Sequence, residues 1–76
     1  LRVLISGYVS EMRIPSVIWF MSAVVNFKRG FENESHEDIN RAIEKNPNDE
    51  KYYRFRKLVR LELGLTDLAL QDDVYL

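Results

Sequence analysis

His36 is the only histidine of the chain, and it stands among Glu34, Glu37 and Asp38. Histidine flanked by carboxylates is the raw material of a metal site or of acid–base chemistry, provided the groups converge. On a helix, neighbours one or two positions apart point in different directions, so this set does not converge. His36 is therefore read as a solvated residue near a helix start. Glu37 and Glu44 share a face only loosely, and no apolar wall is evident that would raise either pKa for general acid catalysis. Gly7, Gly30 and Gly64 stand alone, so there is no glycine-rich phosphate cradle, and no nucleophile elbow is present. These residues predict a chain that is not an enzyme, with no catalytic residue, cofactor or metal ligand.

Two further sets could serve binding. Trp19, Phe20, Phe27, Tyr52, Tyr53 and Phe55 are aromatic at helical spacing, and core packing is their first reading. A peptide-receiving groove is the second, since aromatic and arginine side chains dominate binding hot spots. Arg54, Lys57 and Arg60 follow at intervals of three, beside Arg56, and line one side of a helix. They are read either as a solvated face offsetting the acidic segment before them or as a site for a carboxylate-rich peptide.

The elements that must position these residues are helical. Leu1 to Met12 is ambiguous and leans towards helix. Pro15 interrupts it, and Ser16 is placed to cap the next helix, Ser16 to Arg29. That helix is apolar on nearly all sides, as one buried between neighbours should be. Gly30 supplies its left-handed closing residue. Phe31, Ser35, Ile39, Ala42 and Ile43 fall on one face of a second helix, with Glu32, Glu34, Glu37, Asp38, Arg41, Glu44 and Lys45 on a solvated outer face. Ser35 with Asp38 resembles a capping box, so the start is either Phe31 or Ser35. Asn46, Pro47 and Asn48 stop it. Asp49 and Glu50 bring negative charge to the start of a third helix, Lys51 to Leu63, which Gly64 ends. Thr66 is a suitable cap for a fourth helix running from Asp67 past Leu70. No alternating strand pattern competes with this series.

The interval from Gly30 to Gly64 also relates Ser35 to Ala69 and Trp19 to Tyr53. Trp19, Ala23, Gly30, Ile39, Ala42 and Pro47 provide an aromatic, a small residue, a turn, a large residue, a small residue and a proline in order. In this the chain resembles the tetratricopeptide repeat family, whose helix-turn-helix unit has that same period, about 34 residues. The resemblance implies an all-α fold of antiparallel helical hairpins stacked as an α-solenoid fragment in a single module covering residues 1–76. Residues 16–48 would form one complete repeat and residues 49–76 a partial second, with residues 1–15 the end of a preceding element. Ser22 and Asn26 depart from the pattern, where the family has leucine and tyrosine. Arg56, Lys57 and Arg60 also depart, at positions that are normally apolar or small. Tyr52, Phe55, Val59 and Leu63 form an alternative apolar stripe on that helix.

The same resemblance implies a protein–protein interaction scaffold that receives a peptide or a partner helix on its concave side. Phe20, Val24 and Phe27 from the first repeat and Arg54, Leu58 and Leu61 from the second would line that side, with Lys57 and Arg60 completing the basic row. The alternative is a small helical structural subunit of a larger assembly, membrane-associated or not, that docks through Ile14 to Phe27.

Composition bounds both readings. Twelve acidic against eleven basic residues leave a formal net charge of −1, and a nucleic-acid partner, which normally demands a basic excess, is not expected. The stretch from Ile14 to Phe27 would reach only ~21 Å as a helix, against roughly 30 Å of hydrocarbon, so a buried core helix is favoured over a membrane span. The chain has no cysteine, which is compatible with any compartment and rules out disulfides and thiolate metal sites as staples. A chain this short buries only about 60% of its unfolded surface. With Leu1 at one end and an apolar run at the other, it reads as part of a longer polypeptide or complex.

Overall fold

The computed structural model describes residues 14–76, all of whose regular elements are helical. The expected element within Leu1–Met12 lies outside the described residues. Helix α1 spans Ser16–Lys28, α2 Glu32–Lys45, α3 Glu50–Glu62 and α4 Thr66–Gln71, and a 3₁₀ turn covers Asp72–Tyr75.

Pro15 is itself the N-cap of α1, extended at ψ 150°, and no side chain caps this helix. The expected Ser16 cap is not formed, and the Ser16 hydroxyl instead meets the Tyr52 hydroxyl at 3.1 Å. Likewise α4 begins at Thr66, with Leu65 in the cap position and no side-chain cap. Asp49 does cap α3, its Oδ1 accepting from the Lys51 N–H at 3.0 Å. Helix α2 starts after Phe31, so Ser35 lies inside the helix and forms no capping box. Its hydroxyl donates to the Ala23 carbonyl of α1 at 2.7 Å, which satisfies a fully buried polar group across the helix pair.

Contacts between α1 and α2 progress in opposite directions along the two helices. Ala23 meets Ser35, Ser22 meets Asp38, and the Arg41 guanidinium lies over the Trp19 ring at 5.4 Å. They form an antiparallel hairpin through Arg29–Phe31. In the second hairpin Arg60 meets the Leu68 carbonyl, Arg56 meets Asp72, and Tyr53 stacks on Tyr75 at 4.2 Å. The hairpins join where α2 packs on α3 and where Phe20 and Phe27 of α1 each meet Phe55 of α3 at 5.6 Å. Between them lies the core of Trp19, Ala23, Ile39, Ala42, Ile43, Tyr52 and Tyr53, with Ile14.

The backbone repeats itself at the interval that separates the two glycines. Helices α1 and α3 each have 13 residues, and α3 starts one such interval after α1, as α4 does after α2. Gly30 and Gly64 take φ values of 83° and 77°, a region where only glycine is unstrained. The bond from Phe31 N to the Asn26 carbonyl recurs as Leu65 N to the Arg60 carbonyl, both 2.8 Å. Gly30 to Phe27 recurs as Gly64 to Leu61, both 3.1 Å, and Ser35 to Phe31 as Ala69 to Leu65, both 2.9 Å.

Of the six aromatic residues in that set, Trp19, Tyr52 and Tyr53 lie in the core and Phe20 and Phe55 pack against it, as the first reading of the set has it, while Phe27 is half-buried against Phe55. Ala23 is fully buried, and its small side chain lets α2 approach. Ala23→Leu should therefore cost ~1–3 kcal/mol through overpacking, measured by urea unfolding. A loss below about 0.5 kcal/mol, the scale of an ordinary surface substitution, would mean that α1 and α2 are not in close contact there.

Candidate functional site

Two surfaces carry the polar and exposed apolar groups that could act. The first is a buried seam inside each hairpin. In the first hairpin Ser22 Oγ and Asn26 Nδ2 donate to Asp38 Oδ2 at 2.6 and 2.9 Å. Ser22 and Asn26 are one helical turn apart on α1, so both reach the same carboxylate on α2. Asp38 is only 4% exposed, which corrects its expected place on the solvated outer face of α2. Arg41, assigned to that face too, instead lies against Trp19.

In the second hairpin the same three positions, each one repeat interval further on, are Arg56, Arg60 and Asp72. Arg56 donates to Asp72 Oδ1 through Nε at 3.0 Å and Nη2 at 2.6 Å. Arg60 Nη1 reaches both carboxylate oxygens at 3.1 Å and the Leu68 carbonyl at 3.1 Å. Asp72 is completely buried, and the Arg56 and Arg60 side chains are 13% and 11% exposed. Arg56 continues to Asn40 Oδ1 of α2 at 3.0 Å, and Arg60 Nε donates to His36 Nε2 at 3.0 Å. The seam thus ties α2, α3, α4 and the 3₁₀ turn together. Of the residues that depart from the repeat pattern, Ser22, Asn26, Arg56 and Arg60 are the donors of these seams, and Lys57 pairs with Asp73 outside them.

His36 is accordingly not the solvated residue expected. A guanidinium Nε–H can only donate, so His36 Nε2 accepts and the ring is neutral, with its proton on Nδ1. Burial holds its pKa below the ordinary histidine value, and Arg60 and Arg56 push it in the same direction against Asp72 and Glu37. Burial and the Arg56 charge likewise depress the pKa of Arg60, opposed by Asp72. Among the described residues, no group of three or more histidine, aspartate or glutamate side chains is disposed to hold a metal ion, and no helix is long and apolar enough to cross a membrane.

The second surface is the side of α1 and α3 that includes Phe20, Val24, Phe27, Arg54, Leu58 and Leu61. Phe20 and Phe27 are half-buried, wedged against Phe55, and Phe20 also meets Tyr52 at 5.0 Å. Val24 is half-buried, while Leu58 and Leu61 are 46% and 47% exposed. Arg54 makes an exposed pair with Glu50 at 3.4 Å, the kind of contact that contributes little in water.

The basic row is divided. Arg54 remains at the surface, but Lys57 meets Asp73 at 2.8 Å and Arg60 is taken into the seam. Each member of the row has an acidic neighbour, contributed by Glu50, Asp72 and Asp73 and not by the α2 carboxylates that the charge pattern suggested. No protein-family model matches the chain, and neither the curated proteins nor the solved structures give a match.

Proposed function

We propose that this chain is a stretch of tetratricopeptide-type helical repeat and acts as a protein–protein interaction scaffold. The observation that carries the reading is the recurrence, at one fixed interval, of helix starts, left-handed glycines and turn hydrogen bonds. It makes α1 and α3 equivalent helices. In such stacks the first helix of each hairpin lines the concave side, which receives an extended peptide or a partner helix. Phe20, Val24 and Phe27 are then equivalent to Arg54, Leu58 and Leu61, so the receiving surface is apolar with one basic group at its edge. Lys57 and Arg60 serve the hairpin itself and are secondary to this surface.

A second observation supports a setting in a longer stack or complex. Val17, Met21 and Val25 form an exposed apolar stripe along α1, at 49%, 56% and 47% exposure. Their equivalents in the second hairpin are Lys51, Phe55 and Val59, on the side of α3 that meets α1. The alternative reading, a small subunit docking through α1, would use the same stripe.

Selection from a displayed random-peptide library, followed by titration of the recovered peptides, tests the proposal. Leu58→Glu should weaken capture by at least about 1 kcal/mol, roughly fivefold. Arg54→Glu should weaken it and lower its salt sensitivity, with little change in stability. Capture unaffected by either change in a folded variant, but lost with Met21→Glu, would move the binding surface to the α1 stripe and favour the docking subunit.

A further inference from the structure

Phe27, His36 and Asn40 help the first hairpin to hold α3. Phe27 of α1 closes on Phe55 at 5.6 Å, His36 of α2 accepts from Arg60, and Asn40 accepts from Arg56. One repeat interval further on, these positions hold Leu61, Leu70 and Val74, which are 47%, 56% and 84% exposed. The two polar acceptors are replaced by aliphatic side chains, so the far end of the second hairpin is an apolar face.

The receiving side recurs in the other direction. Phe55 and Val59 of α3 correspond to Met21 and Val25 of α1. Val59 is completely buried, whereas Met21 and Val25 are 56% and 47% exposed. Arg56 and Arg60, which reach across to α2, correspond to Ser22 and Asn26, which donate to Asp38 within their own hairpin. A partner that brings Leu70 and Val74 in place of His36 and Asn40 therefore leaves neither donor without an acceptor.

We propose that the two faces take each other, so that Leu61, Leu70 and Val74 of one molecule seat on Met21 and Val25 of a second copy. The contact repeats between chains the packing that joins the two hairpins within one. What selects a second copy is the match between its ends. Each outer face lacks its half of the polar links found inside, His36 and Asn40 on one side and Arg56 and Arg60 on the other, so apolar burial drives the docking. Arg54, at the position of Phe20, is already paired with Glu50 and stays at the rim. Because the two faces lie at opposite ends of one molecule, the contact is heterologous and leaves one face of each kind free, so association runs past the dimer. The docking needs the equivalence of the hairpins proposed above, but no bound peptide.

Sedimentation equilibrium of the full chain, without added peptide, tests the docking. The weight-average mass should climb past the dimer as concentration rises, and a monomer that persists to about 1 mM overturns the proposal. Met21→Glu spoils the receiving face and Leu70→Glu the docking face, each at a side chain more than half exposed and outside the peptide-receiving surface. Either variant alone should associate at least about tenfold more weakly than the native chain. An equimolar mixture of the two should regain association and stop at the dimer, because it holds one intact face of each kind. Association unchanged by Leu70→Glu, or a mixture no stronger than its parts, overturns the proposal and points to contact of α1 with α1. Should a variant not fold, NMR contacts between labelled and unlabelled native chains decide. Met21 of one chain against Leu61, Leu70 or Val74 of the other supports the docking, and Met21 against Met21 or against Leu1–Met12 refutes it.

Discussion

Asp72→Ala should destabilise the chain by about 3–5 kcal/mol, because it strands two guanidinium groups in a buried site without a counter-charge. Asp72 is fully buried and accepts four donor contacts from Arg56 and Arg60, between 2.6 and 3.1 Å. Neither arginine can neutralise by losing its proton, and at 13% and 11% exposure neither side chain reaches far into water. The intact seam adds less to stability than this loss suggests, since desolvation of three charged groups opposes their attraction. Asp73→Ala provides the contrast. Its pair with Lys57 is half-exposed at 47% and 34%, and its loss should cost no more than about 1 kcal/mol. Urea midpoints at constant slope measure both. A loss below about 1 kcal/mol for Asp72→Ala would mean that the seam is hydrated and does not organise the second hairpin.

Trp19→Ala should cost about 3–5 kcal/mol through lost burial and the cavity left behind. Trp19 is completely buried and is the largest such side chain. It fills the space between α1 and α2 and carries the Arg41 guanidinium on its face. Its equivalent in the second hairpin, Tyr53, is 5% exposed, donates its hydroxyl to the Pro47 carbonyl at 2.7 Å, and carries the Tyr75 ring in the same way. For a domain of this size, total stability is on the order of 4–11 kcal/mol. Either substitution therefore removes a large share, and circular dichroism at 25 °C should show partial unfolding of Trp19→Ala. An unchanged helical signal with a loss under about 1 kcal/mol would mean that the ring is not enclosed as described.

The helix ends were legible in the sequence because they depend on single residues: Gly30 and Gly64 end α1 and α3, and Asn46 to Asn48 separate the hairpins. The helix starts were not: Ser16 and Thr66 do not cap, Ser35 lies inside α2, and Asp49, read only as a charge at a helix start, is the residue that caps α3. The buried face of α2 was legible through its spacing, with Ser35, Ile39, Ala42 and Ile43 inside. Phe31, placed on that face, is 51% exposed because it sits in the cap position before the helix.

What was not legible were the polar seams, since burial judged by residue type sends aspartate, arginine and histidine outward. Asp38 and His36 were assigned to solvent for that reason. A signal was nonetheless present. Ser22, Asn26 and Asp38 recur as Arg56, Arg60 and Asp72 at the same interval as the glycines, two donors a turn apart followed by a carboxylate. Taken one residue at a time, Ser22, Asn26, Arg56 and Arg60 were departures from an apolar pattern and Asp38 a solvated carboxylate. Taken as a triplet that recurs with the glycines they form one built feature.

The candidate binding face was legible only as positions. Spacing placed Phe20, Val24 and Phe27 on one side of a helix, as it did Arg54, Leu58 and Leu61. That Phe20 and Phe27 close on Phe55, while Leu58 and Leu61 stay exposed, depends on how the two hairpins meet.

Residues 15–42 and 49–76 share helix starts, left-handed glycines and turn hydrogen bonds at one interval, and each segment encloses a buried carboxylate, Asp38 or Asp72. A solution structure by NMR tests this equivalence most directly, through dihedral restraints at Gly30 and Gly64 and side-chain contacts at Asp38 and Asp72. The two segments should superpose with α3 on α1 and with α4 and the 3₁₀ turn on the first turns of α2, both glycines left-handed. The Asp38 carboxylate should lie against Ser22 and Asn26, and that of Asp72 against Arg56 and Arg60. A structure with Asp72 turned to solvent, or with Thr66–Gln71 packed differently on α3 than Glu32–Lys45 packs on α1, would contradict the equivalence.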